Sequence, residues 1–428
     1  MISVRTCACT CLCLVAAASH ADEPMGEWSL LSRNFLLDSD FRNKEPGAPG
    51  RRREWAQGFI GALSSAYTPG IVGIGVDLHG FVGIKLDGGR GHAGVGLLPV
   101  DSDGRAASEY SDAGGALKLK AGNTVLSYGE MLVETPVFDT GDKRLQPEYA
   151  TGWFLDSTLS SVWKLQAGRF TAFKNQAGSS SYEDFEGYGA TTKNNAISLV
   201  GSLYKVRRED YSWGASVFGG QLEDVWQQRY LNLNASTGAL SVDGNLYKVR
   251  DQGLAKAGKI DTLAYSILTS IAMTSHTLSL GYQKVEGSTP FDFVGGDSIY
   301  LANSIKFADF NGPGEQSWQG RYQWNAATAG VPGLTFSLRY VTGRSIDGTH
   351  APRGGAYNPF DPDAGAFVPA QGKGGKHWER DMDLRYVVQG GPAKDLSIAL
   401  AHVSHRANDA QAGPDLDRIY VVIEFPLK

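Results

Sequence analysis

No cysteine lies beyond Cys13; the four in the chain are Cys7, Cys9, Cys11 and Cys13. Disulfides therefore brace nothing in the long remainder of the chain. Methionine is scarce, at 5 residues. Beyond residue 21 no apolar run approaches the ~20 residues a spanning helix needs, and mean hydropathy is −0.23, which together exclude a bundle of membrane helices. An excess of basic charge is missing as well. The chain carries 40 Lys+Arg against 45 Asp+Glu, a net charge of −5, so no basic surface points to nucleic acid.

What is present in quantity is glycine and ring systems. Glycine fills 54 of 428 positions, with 18 Tyr, 18 Phe and 9 Trp. That load argues against a disordered chain. Abundant glycine and aromatics in a chain polar on average suggest a large antiparallel β protein. The first residues stand apart. A short basic start (Arg5), an apolar stretch through Ala18 and a small-residue Ser19-His20-Ala21 read as a secretory signal peptide over 1–21. Residues 22–428 are then the working chain, read as one domain.

Its period is two. Val72, Ile74, Val76, Leu78, Val82, Ile84 and Leu86 share one parity, and Gly73, Gly75, Asp77, His79, Gly83 and Lys85 the other. Leu278-x-Leu280-x-Tyr282, Leu334-x-Phe336-x-Leu338-x-Tyr340, Met382-x-Leu384-x-Tyr386 and Ile419-x-Val421-x-Ile423-x-Phe425 repeat the pattern. Such stretches are two-faced strands. A soluble sandwich or barrel turns the apolar face inward; a membrane barrel turns it outward around a polar lumen. Charges and glycines on the polar parity favour the second. So do the aromatics near strand ends (Trp153-Phe154, Trp163, Trp213, Trp226, Tyr322 with Trp324, Trp378) and a last strand running almost to the C-terminus. Roughly 17 to 19 strand-like stretches are countable between Trp28 and Phe425. Loop-like segments fall at Arg42–Arg53, Asp87–Ala113, Glu134–Tyr149, Asn175–Asn195, Val285–Asp297 and Ser345–Lys376.

Several motifs carry a family resemblance. They include Leu30-Leu-Ser-Arg-Asn-Phe35, Arg53-Glu-Trp-Ala-Gln-Gly-Phe59, Gly83-Ile-Lys-Leu-Asp87, Gly96-Leu-Leu-Pro99, Arg144-Leu-Gln-Pro147 and Ala167-Gly-Arg-Phe-Thr171. Gly296-Asp-Ser-Ile-Tyr-Leu-Ala-Asn-Ser304, running on to Asp309-Phe-Asn-Gly-Pro-Gly-Glu315, is the strongest. In order along nearly the whole chain, they resemble the OprD family of substrate-specific porins (the Occ channels of pseudomonads), closest to its basic amino acid branch. The resemblance implies an all-β fold: an 18-stranded antiparallel transmembrane β-barrel with inward-folded constricting loops. It implies a non-enzymatic channel in the Gram-negative outer membrane, without cofactor or metal, embedded in lipid and lipopolysaccharide as a monomer or loose trimer. It further implies facilitated diffusion of small carboxylate-bearing solutes: basic amino acids or small peptides, carbapenem-type antibiotics, or in another branch cyclic and aromatic carboxylates such as benzoate.

A ladder of basic residues facing an acidic part of the lumen belongs to that picture. Fixed arginines replace a carboxylate's lost hydration through charge-assisted hydrogen bonds, and several weak sites in series let the solute leave. By resemblance the ladder includes Arg144, in the segment resembling the constricting loop, and Arg53, at a family basic position near a barrel end; Arg385, Arg33 and Arg339 join it by the lumen parity of their strands. Asp309 and Ser304 fall at the eyelet, with Tyr188 an aromatic neighbour. Ser39, Ala399, Ala401 and Tyr420 stand where basic wall residues are expected, which thins the ladder. Arg169 has lipid-facing parity and belongs at a rim. The rival class is an outer-membrane serine hydrolase built on Ser298 with Asp224, but no G-x-S-x-G elbow surrounds Ser298. His377, His402 and His405 lack metal-ligand spacing. Asp347, Asp361 and Asp363 are loop carboxylates.

Overall fold

The computed structural model describes residues 26–43, 49–89, 91–185 and 195–427. The leader at 1–21 and Tyr188 lie outside the described residues. Eighteen antiparallel strands, from Gly26–Phe41 to Leu416–Pro426, form one sheet, and these two strands pair from Leu31↔Pro426 to Phe41↔Leu416. The sheet is thus a closed cylinder with no unpaired edge, the only way a sheet can sit in hydrocarbon without orphaned backbone groups.

The alternation read from the sequence sets which face is which. Val72 is 52% exposed and Leu280 59%; with Ile74, Leu338 and Leu400 they coat the outside. Aromatics of the same parity form two belts. Trp163, Tyr204 with Trp213 at 5.2 Å, and Tyr322 ring one end. Tyr265, Tyr282 with Trp318 at 4.7 Å, and Tyr340 with Trp378 at 5.9 Å ring the other. An apolar band between aromatic girdles is the exterior of a membrane barrel. Trp226 departs from the expected belt: it is fully buried inside the cylinder, on the parity of Gln228 and Tyr230. Phe154 also turns inward, toward Phe170 at 6.1 Å.

Short turns join strands at one end (122–123, 238–239, 274–275) and long loops at the other. Several long loops fold into the lumen rather than over it. Segment 132–148 brings Val133, Val137 and Phe138 against Phe170, Phe218 and Tyr247 of the wall. Its far end seats Leu145 among Phe35, Phe81 and Leu97. Segment 287–315 contains no helix or strand. The sequence alternation of Ile299, Leu301 and Ile305 resembles a strand, but these residues are buried where the loop meets the wall. Three dry clusters inside a wet cylinder therefore hold the loops in place, the third seating Ile305 and Phe310 against Val341, each buried large side chain contributing about 1.5–3 kcal/mol.

Candidate functional site

Buried glutamates pin the infolded loops by their backbone N–H groups. Glu54 accepts from Gly94 (2.7 Å), Leu97 (2.9 Å) and Leu98 (3.1 Å). Glu379 accepts from Phe307 (3.0 Å) and Ala308 (2.7 Å). Glu148 accepts from Gly141 (2.8 Å) and Gly296 (2.7 Å), joining the two constricting loops to each other. A concave run of N–H groups is a ready carboxylate site. The joint is tight. Gly295 has φ +85°, and a Cβ there would lie 2.5 Å from the Asp139 carbonyl; only glycine meets both demands.

Ser298 belongs to this joint. Fully buried, its hydroxyl accepts from the Asp139 N–H (2.7 Å) and donates to the Asp139 carbonyl (3.2 Å). Its hydrogen bonds are spent on main chain, and it serves as a rivet. It lies within an irregular loop rather than at the start of a strand. Asp361 likewise caps a turn, accepting from the Asp363 N–H at 2.9 Å.

Against the wall, the constricting loops leave a cavity of about 490 Å³. Arg33, Lys143, Arg144, Lys306 and Arg339 line it, with Asp142, Asp297, Asp383 and Glu424. Four of the five cations are ion-paired: Arg33 with Asp142 and Glu424, Lys143 with Asp297, Lys306 with Asp383, and Arg339 with Asp381. Arg144 differs. Its guanidinium donates only to the carbonyls of Val95 (3.3 Å) and Lys143 (3.0 Å), and it has no ion pair among the described residues. Burial, with Arg418 nearby, pulls its pKa down from the usual arginine value, and Glu148 and Glu54 offset this only in part. Phe35, Ala399, Ala401, Tyr420 and Val422 make the opposite, largely apolar side.

A second cavity of about 540 Å³ shares Asp142 and Asp297 with the first and adds Glu134, Asp139 and Tyr300. No cation lines it. Asp139 accepts from the Tyr300 hydroxyl at 2.6 Å. Burial, with Asp297 and Glu134 nearby, pushes its carboxyl up to about 7. A third cavity of about 580 Å³ continues from Glu134 and Tyr300 to Lys164, Asp243, Asn232 and Asn245 on the far wall. The lumen thus offers a basic chamber, an acidic one and a polar one, each sharing residues with the next.

The structure brings Arg33, Arg144, Arg339 and Ser304 to the first cavity. Arg33 is occupied as a clamp: it grips Asp142 with both Nη atoms (2.6 and 3.0 Å), Glu424 through Nε (2.8 Å) and the Arg144 carbonyl (2.9 Å). Asp309 stands behind Ser304, whose hydroxyl donates to it at 2.7 Å, and does not line the cavity; burial pushes its pKa up. Arg385 faces the lumen near the short-turn end, donating to Ser397 Oγ at 2.8 Å. Arg53 takes the outward parity of Trp55 and Phe59 and pairs with Asp87 at 3.5 Å, outside the cavities. Sequence reasoning missed Asp142, Asp297, Lys306 and Arg321. Arg321 carried a signal: it has inward parity on Gln316–Asn325 and lies directly across from Arg339. The loop residues carried none, because only folding sets which way they point.

The comparisons with known proteins agree with this geometry. Residues 25–428 match the family described as outer membrane porin, OprD family. Porin D of Pseudomonas aeruginosa is 41% identical over 413 residues, covering 93% of this chain and 90% of that one. The crystal structure of the outer membrane protein OprD from P. aeruginosa superposes with a TM-score of 0.78 at 38% identity, covering 94% of each chain. That of P. aeruginosa OpdK with vanillate gives 0.80 at 34% identity, covering 94% of this chain and 98% of that one.

Proposed function

The chain belongs to the OprD family of outer-membrane porins, and from that premise we propose that it passes small solutes bearing both charges, basic amino acids or short peptides. As a member it is a substrate-specific channel of the outer membrane and not an enzyme. The observation carrying the finer reading is the abutment of the Arg144 chamber and the Glu134–Asp139–Asp142–Asp297 chamber. A carboxylate entering beside Arg144 gains the ion pair that side chain lacks. The ammonium or guanidinium of the same molecule meets Glu134 and Asp139, which have no ion pair among the described residues, beside Asp142 and Asp297, which are held by Arg33 and Lys143. Neither contact is deep, so the solute is released onward. A carbapenem-type zwitterion fits the same logic. An outer-membrane destination requires export, which supports reading residues 1–21 as a leader.

Phe35, Ala399, Ala401 and Tyr420 favour a second reading, an aromatic carboxylate whose ring rests on that apolar side; the related OpdK has been crystallised with vanillate. Uptake of arginine against benzoate into liposomes separates the two. Arginine uptake exceeding benzoate, and reduced selectively by Asp142→Asn with Asp297→Asn, supports the first. Preferred benzoate uptake that survives those changes and falls with Arg144→Ala supports the second.

A further inference from the structure

The outward face carries charge asymmetrically. Among the described strand residues, every Lys and Arg of outward parity lies in the half nearest the long loops except Arg380, at the middle of Lys373–Val387. Arg51 is answered by Asp38, Arg53 by Asp87 and Arg406 by Asp417, while Lys284, Arg344, Lys376 and Arg380 have no ion pair among the described residues. One further sector sets four cations beside a groove. On neighbouring strands from Trp163–Lys174 to Leu240–Asp251, Arg169, Arg229, Lys248 and Arg250 form a band. Arg229 lies directly across from Lys248, and Gln227 from Arg250. Among the described residues two carboxylates answer these four cations: Glu223, 3.6 Å from Arg169, and Asp261, shared by Lys248 and Arg250. Arg229 is exposed and has no ion pair among the described residues.

A groove of about 330 Å³ opens beside Arg229, lined on the outward face by Ser198, Val200, Gly219, Gln221 and Gln227. A Cβ at Gly219 would meet nothing within 4 Å. The depth can be read from register. Lys248 pairs with Leu263, and the girdle tyrosine Tyr265 is two residues further toward the hydrocarbon, about 7 Å at strand rise. The band therefore sits just outside the aromatic belt, at the level of lipid headgroups. Deeper, unpaired cations would cost about 2–4 kcal/mol each at the midplane.

We propose that this groove is a binding site for a phosphorylated glycolipid of the outer leaflet. Its phosphate lies between Arg229 and Lys248 with Arg250 adjacent, a geometry suited to bidentate guanidinium contacts. The sugar hydroxyls face Ser198, Gln221 and Gln227, and an acyl chain follows Val200 and Val217 down the wall. An ordinary anionic phospholipid offers the phosphate but not the sugar hydroxyls.

The test uses the full chain refolded in detergent, with bisphosphorylated lipid A, its dephosphorylated form and phosphatidylglycerol as probes. Saturable binding of bisphosphorylated lipid A is expected, weakening as salt rises. Each cation at an anionic lipid surface is worth about fivefold, so Arg229→Gln with Lys248→Gln lowers affinity at least tenfold. Heat-modifiable migration and arginine uptake stay unchanged, showing an intact barrel. Gly219→Leu, which fills the groove and keeps every charge, is expected to weaken lipid A binding as well, and it decides the matter should the double variant fail to fold. Equal binding of phosphatidylglycerol or of dephosphorylated lipid A would overturn the proposal, as would lipid A affinity indifferent to the substitutions.

Discussion

The wall-side chamber and the loop-junction chamber touch at Asp142 and Asp297, yet they handle charge in opposite ways. In the first, nearly every cation is answered by a carboxylate, and only Arg144 is left with carbonyls. In the second, four carboxylates converge and only Asp142 and Asp297 have a cation, borrowed from the first chamber; Glu134 and Asp139 have no ion pair among the described residues, and Asp139 keeps its proton to about pH 7. The contrast between Arg33 and Arg144 shows why residue type alone is a poor guide. Both are arginines at one cavity. Arg33 projects from a strand, and its donors are consumed by Asp142, Glu424 and a carbonyl. Arg144 rides on the loop that Arg33 clamps, and its charge remains uncompensated. A guanidinium held by protein carboxylates builds the constriction; one held only by carbonyls is free to act on a solute.

Substituting the clamp should produce the largest disturbance. Arg33→Ala leaves Asp142 and Glu424 without their partner and frees the loop end. Breaking a buried pair costs about 3–5 kcal/mol, here at the low end because Asp142 is half-exposed. Single-channel conductance should rise, larger solutes should pass, and the folded band should convert at lower temperature. Unaltered conductance would mean the clamp does not set the bore.

Arg144→Ala should spare stability and strike selectivity. Loss of a charge-assisted contact of about 1.5–3 kcal/mol raises the half-saturating concentration for carboxylate solutes roughly tenfold or more. Reversal potentials in a salt gradient should shift toward cations. A variant with wild-type selectivity would erase the distinction from Arg33.

The acidic chamber should respond to pH. The Asp139 carboxyl is protonated below about pH 7 and charged above it, so arginine uptake should climb between pH 6 and 8, by about twofold to fivefold. For stability the sign runs the other way. A raised carboxyl pKa favours the fold at low pH, and that advantage fades as pH climbs from ~4, where the unfolded carboxyl titrates, through about 7. Heat resistance should accordingly be slightly greater at pH 5 than at pH 8. Asp139→Asn should flatten both profiles; a persistent slope in the variant would assign the titration elsewhere.

Asp309→Ala should do least, changing uptake by less than about twofold, because Asp309 supports Ser304 from behind at the cost of one hydrogen bond, ~1 kcal/mol. An effect equal to that of Arg144→Ala would place its carboxylate in the path.

Much of this architecture was legible beforehand. The parity of Val72 through Leu86 and of Leu334 through Tyr340 determined which face meets lipid, because a strand's side chains must alternate and a barrel in hydrocarbon must turn the greasy set outward. The ordered motifs from Leu30 to Glu315 determined the family and, through it, the eighteen strands. Trp226 and Phe154 escaped, since the parity that reads as outward on one strand is inward on the next. The identity of the solute-facing arginine escaped as well. Arg144 and Arg33 look alike in a chain of letters, and Lys306, Asp142 and Asp297 sit in loops with no period to orient them. Only the folded loops, drawn inward by Val137, Phe138 and Leu145 and riveted by Ser298 and Glu148, decided which charges are answered by the protein and which are left for a solute. Pairing in space is a property of three-dimensional distance, and loops carry no repeat from which that distance can be computed.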